Sequence, residues 1–282
     1  MGGSWTRRDF LRRGATAGAL AVAGPSLLAA CASGGFKVGI ANEAPYGFTD
    51  PSGKVTGESV EVARAVFKAM GIEDIQAETV DFSALIPGLI SNRFEVVTAG
   101  MFIRPDRCAA AQFSDPDYTA QSALLVPKGN PKGLKTYAEV KATGARLAVL
   151  SGAVEKEDAV KSGVPEGQLQ SFDTQNTLLQ AVTAGRADAG ALTTFSLQDV
   201  VKKNPGAAVE VTPGFFPVIN GEEQIAAGAF VFRKGDQRVN QFNAELKRLH
   251  ESGEWVRIVE PFGFTAENIP KPDVTTARLC AG

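Results

Sequence analysis

The chain has 282 residues, of which 44% are hydrophobic and 21% charged. That is enough apolar material for one large or two medium cores and too little charge for a chain that stays unfolded. Residues 1–30 hold four basic side chains (Arg7, Arg8, Arg12, Arg13) and one acid (Asp9), so the remainder carries 25 Lys+Arg against 30 Asp+Glu, a formal charge of −5. No basic cluster is left to neutralise a phosphate backbone, which excludes a nucleic-acid partner.

The first element is an address rather than a fold. A polar start, Thr6-Arg-Arg-Asp-Phe-Leu-Arg-Arg13, precedes a run of small apolar residues from Ala15 to Ala30 broken by Gly and Pro. The run is too short and too weakly apolar to span a bilayer and reads as a signal peptide over 1–30. Arg7-Arg8 with Phe10-Leu11 resembles the twin-arginine export signal, and Leu28-Ala-Ala-Cys31 resembles a lipoprotein cleavage box. The expectation is an extracytoplasmic domain held to the membrane by acyl chains on Cys31, through a tether over 31–35.

Phe36 to Ala41 reads as a first strand, followed by a loop punctuated by Pro45 and Gly47. Val62, Val66, Phe67 and Met70 lie on one helical face, and Gly71 ends that helix. Ile75 to Val80 reads as a second strand. A helix over 83–91 follows, with Pro87 in its first turn. Phe94 to Thr98 reads as a buried strand. After it, Ala99-Gly-Met-Phe-Ile-Arg-Pro-Asp-Arg-Cys108 reads as a strand end, a tight turn at Gly100 and a helix beginning at Pro105. Ligands of open α/β sheets bind outside the carboxyl ends of strands. This stretch places an aromatic face, Phe102, and a permanent cation, Arg107, at such an end. A guanidinium can hold a carboxylate through two parallel hydrogen bonds.

Ser122 to Val126 is a further apolar run, and Pro127 to Pro131 reads as a crossover into a second alternating set. That set has strands at Arg146–Leu150, Leu169–Phe172 and near Leu192. Its helices open at Ser151–Val154, over Gln175–Ala184 behind Asp173 or Thr174, and over Leu197–Lys203. Ala226 to Phe232 reads as a returning strand, and helices over about Asp236–His250 and Glu254–Glu260 complete the chain. Alternating strands and helices imply α/β architecture with two mostly parallel sheets. The expected organisation is a first lobe over 36–127 and 227–282, a second lobe over 128–226, and a two-stranded hinge near Val126–Pro131 and Ala226–Gly228. Cys108 and Cys280 can pair in an oxidising compartment or remain two buried thiols. With one histidine and no Cys-x-x-Cys, neither a metal site nor a cofactor is expected. Phe113, Phe230, Phe232, Phe242 and Phe262 are assigned to the core, Trp255 to packing, and His250 to an exposed helix end.

Several motifs carry a resemblance. They are Gly57-Glu58, Phe82-Ser-Ala-Leu-Ile-Pro-Gly-Leu89, Gly100 to Arg107, Phe113-Ser-Asp-Pro116, Gly185-Arg-Ala-Asp188 and Phe230-Val-Phe-Arg-Lys-Gly235. From Phe36 to Cys280 the chain resembles the extracytoplasmic solute-binding proteins of polar amino acid ABC transporters. Asn42-Glu-Ala-Pro-Tyr46, Ala99-Gly-Met-Phe102, Pro105-Asp-Arg-Cys108 and Glu260-Pro-Phe-Gly-Phe264 resemble the members of that family that bind ectoine and hydroxyectoine.

The resemblance implies a two-lobe periplasmic-binding-protein clamshell, a monomer that captures a small zwitterion and presents it to membrane permease subunits. It places Tyr46, Phe82 and Phe102 on an aromatic box and Glu43 on the acid for the ring nitrogens. Arg107 falls on the carboxylate clamp beside Gly100. The backbone N–H groups of Gly152, Ala153 and Val154 fall at a helix N-terminus suited to an anion. Tyr46 and Phe82 exchange the Phe and Tyr expected there, and Val154 replaces a Thr. Amino-acid receptors of this family carry an Asp shortly after the Gly-Arg-x-Asp turn, where this chain has Thr193. A compact ammonium enclosed without a carboxylate is costly, whereas a delocalised amidinium between aromatic faces suffers less. The implied ligand is therefore ectoine-like, with proline, betaines and polar amino acids as alternatives. The rival readings are a sensor lipoprotein and an enzyme on the same fold, such as a cyclohexadienyl dehydratase-like protein. The enzyme finds no nucleophile motif here, and His250 is the only histidine.

Overall fold

The computed structural model describes residues 35–281. The expected signal peptide and the lipidation site at Cys31 lie outside the described residues. Two sheets organise the chain. The first runs in the order Ile75–Thr79, Phe36–Ile40, Val96–Phe102, Ala226–Phe232, Gln112–Phe113, and Tyr118–Ala120 also pairs with Ala226–Phe232. The second runs Leu169–Phe172, Leu147–Leu150, Ala189–Thr193, Ser122–Pro127, Val209–Val211. This is the two-lobe α/β clamshell.

The sheets are mixed rather than mostly parallel. In each, three neighbouring strands are parallel, and the strand that joins them from the far side of the crossover is antiparallel. A chain that leaves one lobe, builds the other and returns must bring one strand in the opposite sense to each sheet. That reversal is a property of topology that periodicity does not carry.

The first crossing also lies earlier than the expected boundary at Pro127. Tyr118–Ala120 belongs to the first sheet, while Ser122–Pro127 is an interior strand of the second, paired on both sides. The chain therefore changes lobe at Gln121, and Val126–Pro131 is not the hinge. Pro127 is tolerated because it sits at the strand's last position. The return crossing falls between Phe215, which still bridges to Ser122, and Ala226, which pairs with Ala120.

Sequence chemistry sets the local elements. The helix Glu58–Ala69 buries Val62, Ala63, Val66 and Phe67 on one face and carries acids in its first turn and Lys68 in its last, complementing the helix dipole. Thr136 with Glu139 forms a capping box for the helix Tyr137–Thr143, and Thr174 caps Gln175–Thr183. The strand Val96–Phe102 runs on through Gly100, where a tight turn is expected from sequence. Pairing with Ala226–Phe232 before and after Gly100 keeps it extended, and a bulge against Ala229–Val231 absorbs the left-handed φ of +63° at Gly100. A Cβ there would stand 2.5 Å from the Tyr46 ring, so only glycine fits.

Core assignments follow burial. Phe113, Phe230, Phe232 and Phe242 are buried, while Phe262 is only partly so and Phe264 takes the interior position. His250 is not exposed. Its side chain is 15% accessible, its ring lies 5.3 Å from that of Trp255, and Trp255 Nε1 donates to Asp117 Oδ1 at 2.6 Å. Cys108 and Cys280 are joined, tying the helix Thr276–Ala281 to Pro105–Ala110. Among the described residues no helix is long and apolar enough to cross a membrane, and no cluster of side chains is fit to hold a metal.

Candidate functional site

The two lobes meet around a cavity of about 20 Å³. That is room for roughly one water, so a solute enters only when the lobes part. From the first lobe, Glu43 and Tyr46 come from the loop after the first strand. Phe82 opens the 3-10 turn after Ile75–Thr79, Gly100 and Phe102 end the strand Val96–Phe102, and Arg107 rises from the short helix behind it. From the second lobe, Ala153, Val154 and Thr193 face them, joined by Glu155 and Leu192. All but one of the residues singled out in the sequence line this cavity. Gly152 stands just behind the wall.

Arg107 is 8% exposed and has no ion-pair partner among the described residues. Its guanidinium donates to Phe102 O at 2.8 Å and, across the lobes, to Gly152 O at 2.7 Å. Its Cζ lies 5.6 Å from the centre of the Phe82 ring, a cation–π distance. Burial lowers its pKa, and Asp106 opposes that shift. A buried guanidinium resting on neutral carbonyls is poised for an anion.

Glu43 is also buried. Ser196 Oγ donates to its Oε1 at 2.6 Å from the second lobe. Burial raises its pKa to about 7, with the Ser196 bond opposing. Tyr46 spans the same seam, donating from its hydroxyl to Thr193 Oγ1 at 2.8 Å, and its ring stacks on Tyr118. Thr193 has a second duty, accepting Ser196 N–H at the N-terminus of the helix Thr194–Lys203. It therefore acts through its oxygen on its own helix and on Tyr46.

At the Gly152 corner of the second lobe one of the three expected N–H donors is engaged. Ala153 N–H is spent on Leu150 O, and Gly152 O accepts from Arg107. Gly152 has φ +78°, and a Cβ on it would lie 2.8 Å from Ser83 Cα across the seam. Gly152 permits close approach, since any side chain would hold the lobes apart.

Sequence reading missed Glu155, Leu192 and Ser196, and a bond beside the cavity. Glu155 is 2% exposed, with its pKa raised to about 8 by burial and by Glu43 and Asp158, against Arg107. An acid in a first helical turn ordinarily complements the dipole at the surface, so its sequence position gave no sign of burial. Arg104 Nη2 reaches Asp158 Oδ2 at 2.6 Å across the lobes. Burial still raises the Asp158 pKa to about 6, so desolvation outweighs that attraction. Asp188 is structural. It holds Arg146 and Lys132, and these bonds keep its pKa below the usual carboxylate range.

The family model for bacterial extracellular solute-binding proteins, family 3, matches residues 36–265. A probable amino-acid ABC transporter periplasmic-binding protein of Sinorhizobium fredii is 37% identical over 255 residues, 89% of this chain and 84% of that one. The crystal structure of EhuB in complex with hydroxyectoine is similar at TM-score 0.79 and 34% identity, covering 89% of this chain and 95% of that one. An ancestral arginine-binding protein bound to arginine is similar at TM-score 0.72 and 29% identity, covering 82% of this chain and 99% of that one.

Proposed function

The chain belongs to family 3 of the bacterial extracellular solute-binding proteins, and from that premise we propose that this substrate-binding component of a polar amino-acid-type ABC importer captures a small zwitterionic solute of the ectoine type. The observation that carries the reading is the buried Arg107, free of any carboxylate partner among the described residues, in a cavity walled by Phe82, Phe102 and Tyr46 with Glu43 among the lining residues. Arg107 takes the solute carboxylate. The aromatic faces and Glu43 take a flat, delocalised cation, each cation–π contact contributing about 0.5–2 kcal/mol. Thr193, in place of an acid, leaves a compact ammonium without its partner on that side.

Binding closes the cleft by rotation of the lobes about Gln121 and the segment before Ala226. Closure is a population shift, since Arg107–Gly152, Tyr46–Thr193 and Glu43–Ser196 form only when both lobes meet. The protein is exported by the twin-arginine route and anchored through acyl chains on Cys31, so the closed form stays near the permease subunits it docks on. Incorporation of labelled fatty acid into the wild type and its loss in Cys31→Ala tests the anchor.

Calorimetric titration with ectoine, hydroxyectoine, proline, glycine betaine, glutamine and arginine tests the ligand. A micromolar or tighter ectoine isotherm, about −8 kcal/mol, is the expected result. Tight binding of glutamine or arginine with none of ectoine overturns the ectoine reading and leaves the transport role intact.

A further inference from the structure

Two buried acids and one buried cation share the cavity wall: Glu43 and Glu155 against Arg107. Once a solute carboxylate sits on Arg107, the solute's cation has two glutamates to answer. A net-neutral zwitterion leaves the closed cleft one negative charge in excess. A solute with net charge +1 leaves it balanced. An uncompensated charge in a cleft with almost no water is costly, and a carboxylate relieves that cost by protonating.

We propose that Glu155 sets the net charge of the solute this protein accepts, taking up one proton from solvent when the cleft closes on a net-neutral zwitterion and staying ionised when it closes on a cationic solute. The proposal rests on the reading that Arg107 holds the solute carboxylate. Geometry assigns the proton to Glu155 rather than Glu43. Glu43 receives the Ser196 hydroxyl at 2.6 Å, a bond that favours its charged form. Glu155 has no ion-pair partner among the described residues, and the hydrogen bond that helps its charge comes from its own backbone N–H. The charged and titratable groups around it are Glu43 and Arg107 from the first lobe, Glu157 and Asp158 on its own helix, and Tyr137 from the helix Tyr137–Thr143. Arg104, which would otherwise help, is taken by Asp158.

The sign follows from the two states. With the lobes apart, Glu155 loses the first lobe's share of its burial and the Glu43 charge, and its pKa falls toward the ordinary carboxylate range. Closed, burial carries it to about 8. Between those limits the bound form holds more protons than the free form, so affinity for a net-neutral solute falls as pH rises, by at most about tenfold per pH unit, and levels off above the upper limit.

The test is calorimetry on the purified protein with ectoine, glutamine and arginine at pH 6, 7 and 8, in buffers of different ionisation enthalpy so that proton uptake is read directly. Any net-neutral solute that binds should take up most of one proton at pH 7 and weaken severalfold per pH unit. Glu155→Gln should abolish the uptake at pH 8, where Glu43 and Asp158, raised by burial only to about 7 and about 6, stay largely ionised. At pH 8 arginine should bind without proton uptake, and it should weaken tenfold or more in Glu155→Gln. A net-neutral solute bound at pH 8 without uptake, or uptake at pH 8 that persists in Glu155→Gln, overturns the proposal. If arginine alone binds, the ectoine reading fails while the arginine arm still decides this one: weakening in Glu155→Gln supports it and unchanged affinity overturns it. No binding of any probe overturns both.

Discussion

Replacing Arg104 by alanine should weaken solute binding by an amount that grows with pH. Arg104 and Asp158 belong to different lobes and touch only when the lobes meet, so their bond acts on closure. The two side chains are 14% and 5% exposed, and water screens the pair little. Burial raises the Asp158 pKa from 3.8 to about 6 even with Arg104 in place. The closed form therefore binds more protons than the open one, and this group's support for closure is present at low pH and lost as pH rises through about 6. Without Arg104 the closed-state pKa rises further. The added cost is bounded by protonating the acid, about 1.4 kcal/mol for each pH unit above the present value. The defect should be close to nothing at pH 5, up to about 1.4 kcal/mol at pH 7 and up to about 2.7 kcal/mol at pH 8, or roughly tenfold and a hundredfold in Kd. Calorimetry on wild type and Arg104→Ala at each pH gives the ratio, and any proton carried elsewhere in the cleft cancels in it. Adding Asp158→Asn to Arg104→Ala should erase the defect at pH 8. A Kd ratio that is the same at pH 5 and pH 8 would show that Asp158 carries no proton on closure.

Arg107→Ala should cost about 3 kcal/mol of affinity or more, because the solute carboxylate is then enclosed unpaired; titration with the best-bound solute checks it, and unchanged affinity would move the anion site elsewhere. Gly152→Ala should weaken binding tenfold or more, since its Cβ would press on Ser83 only when the lobes meet. The melting temperature of the solute-free protein should reflect only the left-handed φ, about 1–2 kcal/mol. Cys280→Ala releases the C-terminal helix from the helix bearing Arg107 and should cost about 2–5 kcal/mol of stability. Reductant should lower the wild-type melting temperature by a similar amount and leave the variant unmoved.

The alternation of strands and helices is legible in the sequence, because apolar periodicity and caps such as Thr174 are local. The sequence also placed Glu43, Tyr46, Phe82, Phe102 and Arg107 at strand ends and helix starts, where a cleft of this fold must draw its walls. Tertiary structure alone decided what those side chains meet. Strand sense and the crossing at Gln121 depend on which sheet Ser122–Pro127 joins, and an apolar run is equally at home in either. His250 reads as an exposed helix end and Glu155 and Asp158 give no sign of burial in their local pattern, and only the packed elements around them make them a packed imidazole and two buried acids. Gly152 looks like a loop glycine until Ser83 of the other lobe stands against it. Local pattern reports what one residue does to its near neighbours along the chain. Burial, pKa and lobe contact come from groups 50 to 150 residues away, such as Arg104 with Asp158 and Tyr46 with Thr193, separated by 54 and 147 positions.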